Sequence, residues 1–340
     1  MELRTIETHR QREQVIRLLA QEGISKDRCL EYTVGLYDDS GELAATGSYF
    51  RNTLRCLAVD KGYQGEGLMA QVVSALVQRL YLLGRRHLFV YIKRGAAPLI
   101  ASLGFYPVAS VGDAVFLENR RTGFQDYLRS LGTPSPGVSG AVVLNADPFT
   151  LGHLYLVETA AATCDTVHLF IVSEDLSPFP ASVRKELVKE GTRHIPNIVY
   201  HDTQSYLVSS AVFPSYFIKD QEALTRAHAQ LDAQIFGRIA QALHITRRFV
   251  GEEPFSPATA LYNRVMAEEL PKSGVVLTVL QRKKADGEAI SASRVRSPLT
   301  SGDLSKIRPL VPDTTYRFLA SDESASVKRA LTAQEHSQHP

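Results

Sequence analysis

The sequence predicts a soluble α/β protein of two domains, with an α+β domain first and a parallel-sheet domain after it. One reason is length, since 340 residues exceed what one ordinary hydrophobic core requires. Another is a change of pattern, because short β-type runs follow one another before residue 118, whereas apolar strands alternate with helical stretches after residue 139. Such alternation is typical of a parallel sheet covered by helices on both faces.

The composition excludes several classes of protein and partner. Hydrophobic residues make up 44% of the chain and charged residues 22%, which excludes disordered and low-complexity proteins. Lys and Arg total 38 against 36 for Asp and Glu, with no long basic block, so we expect no nucleic-acid partner. Neither a membrane span nor a signal peptide is recognisable, and no membrane partner is expected. Three scattered cysteines without a C-x-x-C pair favour a cytoplasmic location.

The first domain is predicted over residues 1–118. An amphipathic segment, THRQREQVIRLLAQEG, precedes three strands, and Leu68, Val72, Leu76 and Leu80 then recur at helical spacing. The three strands are predicted at 31–37, 43–50 and 54–59, the helix at 65–83 and a buried strand at 87–92.

A linker is predicted over 119–138, because this segment loses the periodicity of its neighbours and ends in a Gly, Pro and Ser cluster. The second domain, 139–340, then alternates strands and helices. Its strands are predicted at 140–144, 167–172, 198–201, 249–250 and 275–280, and its helices from 151, through 184, after 201 and from 257.

The most informative segment is VVLNADPFTLGHLYLVE, residues 142–158, in which an apolar strand ends in a polar loop and a helix follows. Open α/β sheets bind ligands at the loops that follow the carboxyl ends of their strands. The run from Thr150 to His153 begins the helix, where free N–H groups and the positive end of the helix dipole favour a phosphate. Gly152 would let a ligand approach the backbone closely. The alternative is an N-cap threonine followed by a core histidine.

A second segment, ISASRVR at residues 290–296, follows the last predicted strand. The two segments resemble the T/H-x-G-H and I-S-x-S-x-x-R signatures of the class I nucleotidyltransferase superfamily, and they occur in the superfamily's order. A serine cap on a surface helix with a solvated arginine would explain the second segment alone. The resemblance implies a Rossmann-like domain that attacks the α-phosphate of ATP.

The superfamily resemblance also implies roles for individual residues. His153 would stabilise the α-phosphate in the transition state, Thr150 would hold a phosphate oxygen, and Arg296 would bind the β- and γ-phosphates. Mg²⁺ is expected to bridge the phosphates, with no metal site formed by the protein alone. Further residues expected to bind ATP are Asn145, Phe149, Gly152, Gly251, Glu252, Arg282, Ser291 and Ser293.

Two parts of the expected ATP site have plain alternatives. Arg282, Lys283 and Lys284 would extend the phosphate-binding surface, or they form a solvated basic loop. Gly251 to Pro254 would border the adenosine, or they form a turn that opens the next helix.

Four longer strings, NADPFTLGHLYLVE (145–158), FPSYFIKD (213–220), GEEPFSPATALYN (251–263) and GEAISASRVR (287–296), resemble the citrate lyase ligase family. Together with the matching two-domain layout, the resemblance spans essentially the whole chain. The resemblance implies that acetate and ATP form acetyl-adenylate and pyrophosphate. The acetyl group would then pass to the thiol of the dephospho-CoA-derived group on the acyl carrier subunit of citrate lyase. For the base that activates the thiol, His194, His201 and Tyr216 are candidates, although a lone histidine near a strand end is more often structural.

In the first domain, LRCLAVDKGYQGEGLM (54–69) resembles motif A of the GNAT acetyltransferases, whose turn binds the pyrophosphate of CoA through backbone N–H groups. Gln64, Gly65 and Gly67 match, whereas Met69 replaces the final Gly or Ala of the motif. Tyr106 is interpreted as a core aromatic, the alternative being an acid. With no general base recognisable, we expect this GNAT-like domain to bind the CoA-like arm of the carrier without independent acetyl transfer.

Two rival functions stay open at this point. An ordinary nucleotidyltransferase would use the same ATP site with a phosphorylated acceptor. A GNAT acetyltransferase or acyl-CoA sensor would use the first domain for its main activity.

Overall fold

The computed structural model describes residues 1–27, 29–173, 177–207, 213, 218, 220–253 and 256–338. They form two compact units, the first comprising Met1–Tyr127 and Phe213–Leu231 and the second Leu128–Val212 and Asp232–Pro340. The change of unit between residues 127 and 128 falls inside the segment 119–138, for which a linker is predicted. The segment Phe213–Leu231, predicted in the second domain, packs with the first unit.

The first unit contains a seven-stranded sheet in the order β1-β2-β3-β4-β5-β7-β6. Its strands are β1 Glu2–Thr5, β2 Tyr32–Tyr37, β3 Leu43–Phe50, β4 Thr53–Val59, β5 Phe89–Lys93, β6 Tyr106–Val111 and β7 Ala114–Glu118. β4 and β5 run parallel, and they pair only where Thr53 and Leu54 face Phe89 and Val90. The limited pairing leaves the rest of the two strands unpaired with each other, and a cleft opens there.

Four α-helices lie between or just after these strands in the chain: α1 His9–Gln21, α2 Leu68–Leu82, α3 Ala97–Ser102 and α4 Gly123–Ser130. α2 buries Val72, Leu76 and Leu80 completely. It lies so close to β3 that a Cβ atom on Gly47 would be 2.5 Å from Val72 Cγ1. A larger residue at position 47 would therefore push the helix away from the sheet.

Helix α4 lies within the predicted linker. Its residues Phe124 and Tyr127 are buried, and the Phe124 N–H donates a hydrogen bond of 2.7 Å to Glu118 Oε1. The segment 119–138 is thus partly helical, because two aromatic side chains in it bury more apolar surface than its polar composition suggests.

The second unit contains a parallel sheet in the order β10-β9-β8-β11-β12. Its strands are β8 Ser139–Leu144, β9 Thr166–Ile171, β10 Ile198–Asp202, β11 Ile245–Gly251 and β12 Val276–Leu280. The chain moves outward from β8 in one direction through β10 and returns to the other side of β8 as β11. The carboxyl ends of β8 and β11 therefore flank the switch point at which open α/β sheets bind ligands.

The remaining α-helices and a two-stranded hairpin follow β8 in the chain. They are α5 Leu151–Thr163, α6 Ala181–Gly191, α7 Gln221–Leu243, α8 Pro257–Glu269, α9 Ala292–Ser301, α10 Asp313–Ala320, α11 Ala325–Gln338 and a hairpin of β13 Lys284–Ala285 with β14 Glu288–Ala289. The first half of α7 belongs to the first unit. Within the part of the chain that the structure describes, no helix combines the length and apolarity of a membrane span. The predicted α/β class and its parallel sheet are confirmed.

Two histidines are buried side by side in the second sheet. His168 on β9 and His201 on β10 lie with Nδ1 and Nε2 2.9 Å apart, and their rings stack. Burial lowers the pKa of each to about 4. Within the described residues His168 Nε2 has no hydrogen-bond partner. A proton added to this pair would therefore create a poorly solvated charge.

We predict that the second unit loses stability as the pH falls from about 6.5 to about 4. Over that range the unfolded chain binds protons that the folded pair resists, so the free energy of unfolding falls by on the order of a few kcal/mol for the pair as a whole. His168→Phe should remove about half of this dependence in urea unfolding measured between pH 7 and pH 4. Phe170→Leu, a packing change beside His201, should lower stability equally at every pH. An unchanged slope in His168→Phe would contradict the assignment.

Candidate active site

The β8–α5 junction forms the first side of the candidate site. Thr150 is the N-cap of α5, and its hydroxyl oxygen accepts the His153 N–H at 3.3 Å. In return the Thr150 N–H donates to His153 Nδ1 at 3.1 Å. This is a capping box in which histidine takes the place that Glu or Gln usually has. Thr150 is thus the N-cap that the alternative expected, whereas His153 is partly exposed and is not a core residue.

The His153 ring is held in one protonation state. Because Nδ1 accepts the Thr150 N–H, the ring proton resides on Nε2. Burial, and secondarily the positive charge of Arg282, lowers the pKa of His153 to about 4. The Phe149 ring lies nearly parallel to the imidazole, with centroids 5.9 Å apart. At neutral pH the partly exposed side chain is therefore a neutral N–H donor, suited to an anionic oxygen.

The second motif lies against the first. Ser291 is the N-cap of α9 and accepts the Arg294 N–H at 3.3 Å. A Cβ atom on Gly152 would lie 3.5 Å from the Ile290 carbonyl oxygen and 3.7 Å from Ile290 Cβ. The amino-terminal ends of α5 and α9 therefore lie side by side, and each contributes free N–H groups and a partial positive charge.

Arg296 joins the two motifs directly. Its Nη1 lies 3.2 Å from Asp147 Oδ2 and also donates to the Asp147 carbonyl oxygen. Nη2 donates to Ser293 Oγ at 3.4 Å. A solvated arginine on a surface helix is excluded by these contacts.

Asp147 also takes part in a chain of hydrogen bonds that connects the β8–α5 loop to α6. Ser177 Oγ donates to Asp147 Oδ1 and accepts the Phe179 N–H at 2.9 Å. The Phe179 carbonyl oxygen accepts from Arg184 Nε at 3.1 Å, and Arg184 Nη1 donates to the Asn145 carbonyl oxygen at 2.6 Å. We call this chain, from Arg296 through Asp147, Ser177 and Phe179 to Arg184 and Asn145, the loop anchor.

Sequence reasoning identified neither Asp147 nor Arg184 as part of the site. Asp147 lies in the string NADPFTLGH, three residues before Thr150, and this closeness to the motif could have identified it as a site residue. Arg184 is a single arginine on a helix, and nothing in its spacing separates it from a surface residue.

The carboxyl end of β11 forms the side of the candidate site opposite the β8–α5 junction. The Glu252 N–H donates to the Leu280 carbonyl oxygen at 2.7 Å. Arg282 Nε donates to the Glu252 carbonyl oxygen at 2.7 Å, and Arg282 also forms an ion pair with Glu253. A Cβ atom on Gly251 would meet no atom within 4 Å, so open space borders this strand end. Arg282 is therefore bound to the protein here and is not a freely solvated loop cation.

The histidines considered as bases lie elsewhere. His201 is buried against His168 inside the sheet. His194 pairs with Glu158 at 3.1 Å, beside Cys164 and Asn197, which lie within two residues of the starts of β9 and β10. It thus lies at the edge where the strands begin, opposite the candidate site. Tyr216 and Pro254 fall outside the described residues.

The first unit has its own cleft of about 550 Å³ between β4, β5 and the start of α2. Gln64, Gly65 and Gly67 all line it. Gly65 and Gly67 have φ of +91° and +77°, and a Cβ atom on either would meet no atom within 4 Å. This left-handed turn leaves the backbone bare at the start of α2. Met69 and the acidic residue Glu22 also line the cleft.

Tyr106 corrects an expectation. It was interpreted as a core aromatic, but the side chain is 40% exposed on β6. β6 is the edge strand of the sheet, so its side chains are covered less than those of the central strands.

Residues 139–319 match the family described as the citrate lyase ligase C-terminal domain. Citrate (pro-3S)-lyase ligase of Klebsiella pneumoniae is 40% identical over 316 residues, which cover 91% of this chain and 92% of the relative. The Haemophilus influenzae enzyme of that name is 37% identical over 333 residues, covering 94% and 98%. A GNAT-family acetyltransferase structure from Staphylococcus aureus aligns with a TM-score of 0.31 and 13% identity, covering 34% of this chain and 98% of that one.

We predict that the His153 imidazole stays neutral, with its proton on Nε2, from pH 8 down to about pH 5. Burial and the nearby Arg282 both disfavour the charged ring, and the Thr150 N–H fixes the tautomer. Nitrogen-15 NMR of labelled histidine, assigned with His153→Gln, measures both properties. Arg282→Gln should raise the pKa by removing one positive charge. An Nδ1-protonated ring or a midpoint near 6.5 would contradict this geometry.

Proposed function

Because the chain belongs to the citrate lyase ligase family, we propose that it joins acetate to the thiol of the dephospho-CoA-derived group on the acyl carrier subunit of citrate lyase. ATP would be converted to AMP and pyrophosphate in the process. Family membership makes the chain a ligase. The observation that supports the finer proposal is the contact between the two motif helices at the switch point of a parallel sheet.

In the first half-reaction an acetate oxygen attacks the α-phosphorus of ATP, and the bond from that phosphorus to the pyrophosphate oxygen breaks. The products are acetyl-adenylate and pyrophosphate. The His153 Nε2–H would donate to an α-phosphate oxygen as negative charge develops there. Thr150 caps the start of α5, which would face the phosphates. Arg296 would bind the β- and γ-phosphates through its planar fork.

In the second half-reaction the thiolate sulfur of the carrier attacks the acetyl carbonyl carbon. The carbon–oxygen bond to AMP breaks, and AMP leaves with its phosphate oxygen carrying the electron pair. The mixed anhydride is needed because acetate itself has a poor leaving group. The thiol proton is released to solvent in this scheme, since neither His194 nor His201 lies at the site.

Mg²⁺ is proposed to enter with the triphosphate and to neutralise part of its charge. Among the described residues no three His, Cys, Asp or Glu side chains come together as a metal site. The carboxylate of Asp147 already binds Arg296 and Ser177. Phosphate and water oxygens would therefore supply most of the ligands of the ion.

The ligase proposal predicts that His153→Ala lowers acetate-dependent AMP release about hundredfold, the usual effect of removing one transition-state donor. His194→Ala, at the opposite edge of the sheet, is the matched control and should retain activity. Exchange of labelled pyrophosphate into ATP should require acetate. A requirement for a phosphorylated acceptor instead would favour the rival nucleotidyltransferase, and a loss of only a few-fold in His153→Ala would refute the role of this residue.

We also propose that the cleft of the first unit binds the CoA-like arm of the carrier. The bare turn at Gln64, Gly65 and Gly67 supports this, because backbone N–H groups in such a turn favour a pyrophosphate. The divergence of β4 and β5 supplies the space for an extended arm.

Blocking the cleft should therefore weaken binding of the carrier and leave the reaction of ATP with acetate unaffected. Gly95 lines the cleft and has no atom within 4 Å of its Cβ position, so we expect Gly95→Trp to place a ring in the cleft. We expect the KM for the carrier to rise about tenfold, the effect of losing roughly 1.4 kcal/mol of binding, while pyrophosphate exchange is unchanged. Gly95→Ala is the control. Equal KM values in Gly95→Trp and Gly95→Ala would refute the proposal.

Point variants are preferable to deletion of residues 1–118. The ring of Phe213 packs edge-on against Tyr91, with centroids 5.4 Å apart, and stacks on His228. Removal of the first 118 residues would expose these aromatic groups. A loss of carrier binding in such a deletion could then not be distinguished from a loss of folding.

A further inference from the structure

We propose that Arg184 is a positioning residue that turns the side-chain amide of Asn145 so that its NH₂ group faces the bound nucleotide. The inference rests on the proposed function, because it assigns ATP to the site around His153. It adds a buried residue, outside both sequence motifs, that determines whether Asn145 attracts or repels a phosphate.

Arg184 is fully buried on the first turns of α6. Its Nη1 donates to two oxygens of one residue, the Asn145 carbonyl oxygen at 2.6 Å and Asn145 Oδ1 at 3.0 Å. Its Nε donates to the Phe179 carbonyl oxygen at 3.1 Å. A guanidinium in this position holds backbone and side chain of Asn145 together, which one rotating ammonium group would do less well.

The orientation of the Asn145 amide follows from hydrogen-bond chemistry. A guanidinium has donors only, so the atom of the amide that faces Arg184 is the oxygen. The NH₂ group then points to the other side of the planar amide. Asn145 is exposed and directly follows β8, at the switch point of the sheet. Its NH₂ is thus a donor presented at the same strand end as Thr150 and His153.

The opposite orientation would disfavour ATP. Phosphate oxygens accept hydrogen bonds and carry negative charge, so an amide turned by 180° would present its oxygen to them. Arg184 thereby acts on the nucleotide through Asn145, without touching it. The same arginine joins the loop anchor to Asn145, at the end opposite Arg296.

The proposal is tested by the affinity for ATP with Mg²⁺, measured by calorimetry in the absence of acetate and carrier. Asn145→Ala and Arg184→Gln should each raise the Kd for ATP about tenfold, the size expected for one hydrogen bond to a charged group. The double variant should also lose only about tenfold, because both changes remove the same contact. Arg184→Lys keeps the charge and should resemble Arg184→Gln, which separates geometry from electrostatics.

The steady-state constants supply a second readout. The KM for ATP should rise about tenfold in Arg184→Gln while kcat at saturating ATP changes less than about twofold. A merely structural arginine would lower the melting temperature and the active fraction, and so the apparent kcat, and would leave KM and Kd unchanged.

Arg248 is the matched control. It is also buried in the second unit, but it pairs with Asp232 at 3.0 Å. Arg248→Gln should lower the melting temperature and leave the Kd for ATP unchanged. An unchanged Kd in Arg184→Gln, or a loss of about hundredfold in the double variant, overturns the inference. A wild-type chain that binds ATP but releases no AMP with acetate refutes the ligase proposal alone, whereas one that binds no ATP refutes both.

Discussion

The candidate site depends on the contact between Arg296 and Asp147, two residues 149 positions apart. Through it the helix of the second motif is tied to the loop that opens the helix of the first. The contact adds to the packing of Gly152 against Ile290, which places the amino-terminal ends of α5 and α9 beside each other. Held side by side, they form one positively polarised surface at the carboxyl end of the parallel sheet.

The charge at this surface is balanced before a nucleotide arrives. Asp147 offsets the charge of Arg296, and Glu253 offsets that of Arg282. His153 adds a donor without adding a charge. On the proposed function, a triphosphate would compete with this carboxylate for Arg296, and it would meet groups whose orientation is already fixed by the capping box and the loop anchor. Fixed donors of this kind lower the reorganisation that charge development would otherwise demand.

The sequence predicted the features that depend on local chemistry. The start of α5 follows from Thr150, Gly152 and His153, and the order of strands and helices follows from apolar periodicity. Contacts between distant segments were predicted less well, because residue spacing carries no record of them. Arg184 looks like any helix arginine until β8 is placed beside it. Helix α4 was missed because its Pro- and Gly-rich surroundings outweighed Phe124 and Tyr127, and His201 was considered as a base although the sheet buries it.

The segment Phe213–Leu231 gives the first unit a property that a simple linear arrangement would lack. Its ring at position 213 packs against Tyr91, although β8, β9 and β10 of the other unit lie between them in the chain. On the ribosome, residues 1–127 emerge long before this segment is synthesised. During synthesis, the Tyr91 ring therefore stays without its Phe213 contact until more than half of the polypeptide has been made. A premature stop before residue 213 would leave this side of Tyr91 permanently uncovered.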